Sequence, residues 1–376
     1  MWTKESWYQD AFNKTKANSQ YYKNFSNFLL DSYKKYFPGM DKEAIGQMLI
    51  EFNQKRLNAV PDLSLYPELR GMDDLIAADR RGIQDGAKLS DIQLAAWCDG
   101  MYMYKSGLVG ASNNMSLGCS AIFFPKSDHG PLLASNLDSS PNEPFGTPGW
   151  IPLNEHLIIA GVSSGIYNDE KSPEIFPATV KKLIARYCRS SEEAVEMLER
   201  YNDFWGPGNK LVMDRNKKTA MIEKSCCRIG VRWSDDGFGF VTAMTAEEPT
   251  FRKYLLSARK GYLKEKNISV NSPDQAYWDC ADQRRELITE LINDAKAAPT
   301  LEKLRQIIQF RDENRGKVCY NGEIIHPDGP PVEHTIRTVI WLLEEGKAIW
   351  WAKDGNIPSF KNQMPDVNFS DVLTWE

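Results

Sequence analysis

The feature that most constrains this chain is a change of hydrophobic period at Gly118. Before it, apolar residues recur at helical spacing: "YYKNFSNFLLDSYKKYF", "MDKEAIGQMLIEFNQKRL" and "ELRGMDDLIAADRRGIQDG" each read as an amphipathic helix. Ser90 and Gln93 have capping-box spacing and open another, "DIQLAAWCDGMYMY". After Gly118 the apolar residues gather in short runs between turn residues, and "SAIFFP", "GPLLASNLD" and "HLIIAGVSSGIY" read as strands. "NKLVMDRNKKTAMIEKS" and "CRIGVRWSDDGFGFVTAM" read as consecutive hairpins turning at Arg215-Asn216 and Asp236-Gly237. "RTVIWLLEEGKAIWWAKDG" reads as a closing pair of strands around Glu345-Gly346. Two helices interrupt the strands: "SSEEAVEMLERY", capped by Ser190 and Glu193, and "TLEKLRQIIQF", with Leu301, Leu304 and Ile308 on one face. Helices followed by strands broken by helices predict an α+β fold. We expect residues 1–118 to be a mostly helical segment packed on a core of residues 119–376, the two forming one integrated domain.

Bulk properties exclude several function classes. A formal net charge of −5 gives no reason to expect nucleic acid or an anionic membrane as partner. No apolar run approaches the roughly 20 residues of a membrane span. The opening "MWTKESWYQDAFNKTKANSQYYKNF" lacks an apolar signal region, which places the protein in the cytoplasm unless a leader was removed. The seven cysteines are odd in number and have no framework spacing, so reduced thiols are expected. A homo-oligomer is compatible with all of this.

The candidate chemistry sits between Asn113 and Ser140. One strand opens on Gly118-Cys119-Ser120, the chain turns through Asp128-His129-Gly130, and the partner strand ends on Asn136-Leu137-Asp138. That is either an ordinary hairpin with a buried thiol or half of an active site. The histidines at 129, 156, 326 and 334 form no H-x-x-x-H pair, which argues against zinc, and no metal or other cofactor is expected. There is no serine elbow and no phosphate-binding loop. One route to an active thiol needs no histidine. If Cys119 became a chain terminus, its own α-amine, with an ordinary pKa of about 7.7–8.0, would accept the thiol proton. The Gly118-Cys119 bond must first be cut, and glycine suits a strained scissile position.

In that respect the chain resembles the N-terminal-nucleophile (Ntn) hydrolases, in the branch of acyl-coenzyme A:6-aminopenicillanic-acid acyltransferase, over roughly residues 65–360. "ADRRGIQDGAKLSDIQLAAW" resembles the helical segment before the cleavage site, "LGCSAIFF" the G-C-T motif, and "LLASNLD" the strand ending N-W-D or N-L-D. "GVSSGIY" stands where the family has G-x-N-E-x-G-L, and "RDENRGKVCYNGEIIHPDG" resembles R-D-H…I-C-R-H. "TIRTVIWLLEEGKAIWWAKDGNIP" resembles the closing hairpin and G-x-P turn. The resemblance implies a four-layer αββα sandwich, two antiparallel sheets between helical layers. It also implies a cysteine hydrolase or acyltransferase that works on a linear amide through a Cys119 thioester, after autocleavage at Gly118-Cys119.

By the same resemblance Cys119 is nucleophile and base, and Asp138 orients its amine by hydrogen bonding. Two departures matter. Related bile-salt hydrolases and penicillin acylases often carry an arginine three positions before the aspartate, where this chain has Ser135. The segment T-N-H or T-N-N, whose asparagine helps hold the oxyanion, corresponds to Thr242-Ala243-Met244. Losing such a donor typically costs about 2.7–4 kcal/mol, so Asn136 or a backbone N–H is expected to substitute. Otherwise the protein is a catalytically reduced or inactive Ntn-fold binding protein. Arg252 lies near the family's site arginine, with Arg337 a weaker candidate. Phe204 and Trp205 in "NDFWGPGN", with Thr242, would border an apolar acyl pocket. Trp341, Trp350 and Trp351 are expected in the core. The partner is a small-molecule amide or acyl donor.

Overall fold

The structure, a computed structural model, describes residues 3–34, 37–58, 72–97, 119–139, 154, 156–162, 184–185, 187–200, 208–225, 228–265, 273–325 and 332–369. The chain divides into two compact units, one of residues 1–111 with 143–147, the other of residues 112–142 with 148–376.

The first unit is helical, with α1 Lys4–Ala17, α2 Ser19–Tyr33, α3 Lys42–Asn58, α4 Met72–Ala87 and further helical turns over 91–97. Helix α1, which the periodicity alone does not single out, starts at a reciprocal cap between Thr3 and Ser6. It lies backbone to backbone on α4, because Gly82 and Gly86 leave no side chain between them. A Cβ at Gly82 would strike the Tyr8 carbonyl, and one at Gly86 the Thr15 hydroxyl. Leu29, Leu30, Ile45 and Leu49 form this unit's buried core, and Ser90 and Gln93 make the expected capping box.

In the second unit the described strands make a larger and a smaller antiparallel sheet. The larger runs β13 (Val367–Asn368), β12 (Lys347–Ala352), β11 (Val332–Leu342), β2 (Leu132–Ser139), β1 (Ser120–Phe124), β7 (Gly239–Thr242), with β10 (Asn321–Ile325) also on β11. The smaller runs β3 (Leu157–Val162), β4 (Asn209–Asp214), β5 (Thr219–Lys224), β6 (Ile229–Ser234). A two-stranded ribbon, β8 (Arg311–Asp312) with β9 (Gly316–Lys317), stands apart. The helices of this unit include α5 (Ser191–Arg200), α6 (Pro249–Glu265), α7 (Pro273–Ala295) and α8 (Leu301–Ile308).

Strand alternation sorts these elements into layers. Ile122, Phe124, Leu132 and Ala134 turn to one face of the larger sheet and share a core with Leu287, Ile288 and Ile292 of α7 and Leu304 and Ile308 of α8. The other face meets the smaller sheet. Gly239 marks the contact, since a Cβ there would meet Thr219, Leu211 and Met221. On the far side of the smaller sheet lies α5, tied on by the Ser191 N–H to Asp214. The order is αββα, two antiparallel sheets between helices. Strand β1 is buried along its length because both its faces are covered, so SAIFF reads as a continuous apolar run. Trp341, Trp350 and Trp351 are buried, as core aromatics should be.

One expected hairpin is corrected. Strands β6 and β7 do not pair with each other: β6 pairs with β5 in the smaller sheet, and β7 with β1 in the larger. The Asp236-Gly237 turn is a crossing between sheets, made possible by Gly237 at φ +81. Phe238 and Phe240 then join the core on α7 while Gly239 faces the smaller sheet. Local sequence resembles a hairpin in both cases; which sheet the second strand joins is decided by these long-range partners. Among the described residues no helix is long and apolar enough to cross a membrane.

Candidate active site

Cys119 stands at the head of β1, the strand between β2 and β7, and is half-buried, its sulfur in no disulfide. Its carbonyl accepts a hydrogen bond from the Ala243 N–H at 2.9 Å, so pairing continues one residue past β7. Ser120 lies between Asn136 on one side and Thr242 on the other. Because Ser120, Ile122 and Phe124 turn towards α7 and α8, the alternation places Cys119 with Ala121 and Phe123 on the opposite face.

Asp138 ends β2 on the helix side and is fully buried. One carboxylate oxygen accepts from the Arg284 guanidinium at 2.8 Å, both side chains being fully buried, and the other accepts from the Thr335 hydroxyl at 2.6 Å. Burial pushes the Asp138 carboxyl up to about 6, against the opposing pull of Arg284 and the Thr335 hydrogen bond. Arg284 in turn lies over the Tyr320 ring, 4.8 Å from its centre. Thr335 is aimed at Asp138 by an irregularity in β11: it pairs with Asp138 and Arg337 with Leu137, leaving Ile336 as the extra residue. The Tyr320 N–H donates to the Thr335 hydroxyl at 2.9 Å, which fixes that oxygen.

A guanidinium therefore does reach Asp138, but from α7 and not from position 135. Tyr320 stands where I-C-R-H has its arginine, and Arg284 covers it. No local motif in the sequence singles out α7. The available signal was a charged residue on an apolar stripe: Ala281, Arg284, Ile288 and Ile292 recur at helical spacing, and only one of them is polar.

Asn136 is corrected. Its Nδ2 donates to the carbonyls of Ile308 at 2.8 Å and Val318 at 3.2 Å, and its Oδ1 accepts from Thr338 at 2.7 Å, in a fully buried setting. Both amide hydrogens are spent on closing the end of α8 and the loop after it, leaving none for an oxyanion. Thr242 is buried too. Its hydroxyl meets that of Thr245 at 2.5 Å, so it builds a turn and does not present a free group to a pocket.

That turn is heavily braced. Asn209 donates to the carbonyls of Thr242 at 3.0 Å and Thr245 at 2.9 Å, and Arg259 donates to the Met244 carbonyl. Met244 is fully buried with φ +65, a left-handed conformation rare for a residue with a side chain, and among the described residues its N–H meets no acceptor.

Arg252 is half-buried in the first turn of α6, and no hydrogen bond or ion pair among the described residues joins it to Cys119 or Asp138. Arg337 sits inside β11 opposite Leu137 and Ala352. Gly118, Phe204 and Trp205 lie outside the described residues. Cys319, behind Asp138, is fully buried, and burial with the nearby Asp138 charge pushes its thiol up to about 12; burial does the same to Cys188. Among the described residues no three His, Cys, Asp or Glu side chains gather as metal ligands would.

No protein-family model and no curated protein sequence matches the chain. Solved structures do. A conjugated bile acid hydrolase from Clostridium perfringens aligns at 13% identity and TM-score 0.41, over 66% of this chain and 92% of that one. Penicillin V acylase from Agrobacterium tumefaciens aligns at 12% identity and TM-score 0.36, over 62% and 82%. The layer order of this fold, read from its own strands and helices, stands independently of them.

Proposed function

We propose that the protein is a cysteine Ntn hydrolase or acyltransferase acting on a linear amide. The observation that carries this reading is one juxtaposition: a half-exposed thiol heads a central strand of an αββα sandwich, and a buried carboxylate ends the neighbouring strand. Thiol and carboxylate lie on opposite faces of the sheet, which suits a carboxylate that serves the amine of Cys119 and leaves its sulfur to the substrate.

Maturation begins when the Cys119 sulfur attacks the Gly118 carbonyl. The peptide C–N bond gives way to a thioester, the freed nitrogen takes the thiol proton, and water then releases Gly118 as a carboxylate. In the mature protein the Cys119 amine takes the proton from its own thiol, and the thiolate attacks the substrate amide. The amine's proton passes to the departing nitrogen, leaving a thioester, and water or a second amine receives the acyl group. Asp138 orients the ammonium by hydrogen bonding.

The oxyanion needs a donor that Ala243 does not offer. The Met244 N–H takes that role in this reading, held in a rigid turn whose neighbouring strand residue is already bonded to Cys119. Ala243 is also what favours the rival reading, a retired binding protein.

A nitrophenyl acyl ester decides between them. Wild-type protein should gain an acyl adduct on Cys119 with a burst of nitrophenol, and C119A should do neither. An equal burst from C119A, or an inert Cys119 in native wild type, would end the enzymatic account.

A further inference from the structure

Asp138 presents a problem that the proposed reaction does not solve by itself. A carboxyl group with no exposed surface is strongly driven to take up a proton, and a protonated Asp138 could not hold an ammonium by charge. We infer that Arg284 is a positioning residue for the reaction: its guanidinium keeps the Asp138 carboxylate ionised and fixed for the amine of Cys119. This rests on the reading of Cys119 as a nucleophile freed at its amino group.

The geometry is specific to that task. Arg284 reaches one oxygen of Asp138 at 2.8 Å while Thr335 takes the other at 2.6 Å, so the carboxylate is gripped from α7 and from β11 at once. Cys319 also faces it, from the loop before β10, and its thiol stays neutral because burial pushes it up to about 12. Tyr320 contributes a ring beneath the guanidinium, while Arg311 donates to the Cys319 carbonyl and lies over the Phe360 ring. Cys280, one turn before Arg284 on α7, is likewise pushed up by burial. Arg284 is ion-paired with Asp138, and it stands on the apolar stripe of α7, where neighbouring Ile288 packs under the sheet. A surface ion pair would do little here. Between two fully buried groups, removing one partner strands the other.

The test reads Asp138 directly and Cys119 separately. An infrared pH titration follows the protonated-carboxyl band, assigned by 13C-aspartate labelling and by its loss in D138N. Wild type should be ionised at neutral pH. In R284M the midpoint should rise by about 1–3 pH units, the usual effect of one close opposite charge, and R284K should restore part of it. Where R284M does not fold, R284Q carries the same expectation, because it keeps length and hydrogen bonding without the charge. In the same variants, alkylation of Cys119 by iodoacetamide should have its acid limb moved to higher pH.

An unmoved midpoint in a folded neutral variant overturns the inference, as does a wild-type Asp138 that is protonated at neutral pH. A chain that stays uncut, with an unreactive Cys119 but the expected Asp138 titration, instead overturns the nucleophile reading and leaves the Arg284–Asp138 coupling intact.

Discussion

Replacing Asn136 by leucine separates a structural amide from a catalytic one. Leucine has nearly the same shape, so the backbone of β2 and the packing around it should persist. What disappears are three hydrogen bonds in a fully buried setting: two from Nδ2 to the Ile308 and Val318 carbonyls and one from Thr338 to Oδ1. Ile308 ends α8, so its carbonyl has no partner within the helix and depends on Asn136. Each buried group left unsatisfied costs about 1–3 kcal/mol. Thr338 can rotate its hydroxyl to another acceptor, while the two carbonyls cannot move, so a loss of about 2–6 kcal/mol is expected. Against a total stability of about 5–15 kcal/mol that is a large fraction. Urea denaturation followed by tryptophan fluorescence should show the midpoint of Asn136→Leu lowered by about 1–2 M with the slope unchanged. Acylation of Cys119, per folded molecule, should be close to wild type. A variant as stable as wild type that has lost acylation would refute this reasoning and return Asn136 to the substrate.

Other expectations follow from the same structure. Gly239→Val should push the two sheets apart, since even a Cβ would lie 2.7 Å from Thr219 and 2.9 Å from Leu211; a loss of about 1–3 kcal/mol is expected, and an unchanged melting temperature would argue against this sheet-to-sheet contact. Native protein treated with iodoacetamide at mildly alkaline pH should be labelled at Cys119 and spared at Cys188 and Cys319, whose thiols are pushed up to about 12; labelling of Cys319 in the native state would contradict its burial. Asp138 has a folded-state pKa raised from 3.8 to about 6, so its contribution to stability is full below the unfolded value and is lost as pH rises through about 6. The stability of wild type relative to D138N should therefore fall by about 2 kcal/mol between pH 4 and pH 7, and a difference that grows over that range would contradict the sign.

Legibility in the sequence followed the range of the interactions. Helices with a one-sided apolar stripe and a local cap, such as α5 and α8, were visible because both signals lie within a few residues. The β4–β5 and β11–β12 pairs were visible for the same reason. The partners of β6 and β7 were not, because their assignment depends on strands far away in the chain. The site divides likewise. Cys119 and Asp138 stood out through local motifs. Arg284 and Thr335, which complete the surroundings of Asp138, lie 146 and 197 positions away from it, and nothing local ties either to that carboxylate. Asn136 misled for the opposite reason: its place beside Asp138 suggested chemistry, while its hydrogen bonds lead to α8 and β11.

The most direct test of the account is a denaturing mass measurement on freshly purified full-length protein beside its C119A variant. The account predicts that wild type appears as two fragments, one ending at Gly118 and one beginning with a free amine at Cys119, and that C119A remains a single chain. A wild-type protein that stays one uncut chain of 376 residues, or a C119A variant cut at the same bond, would contradict it.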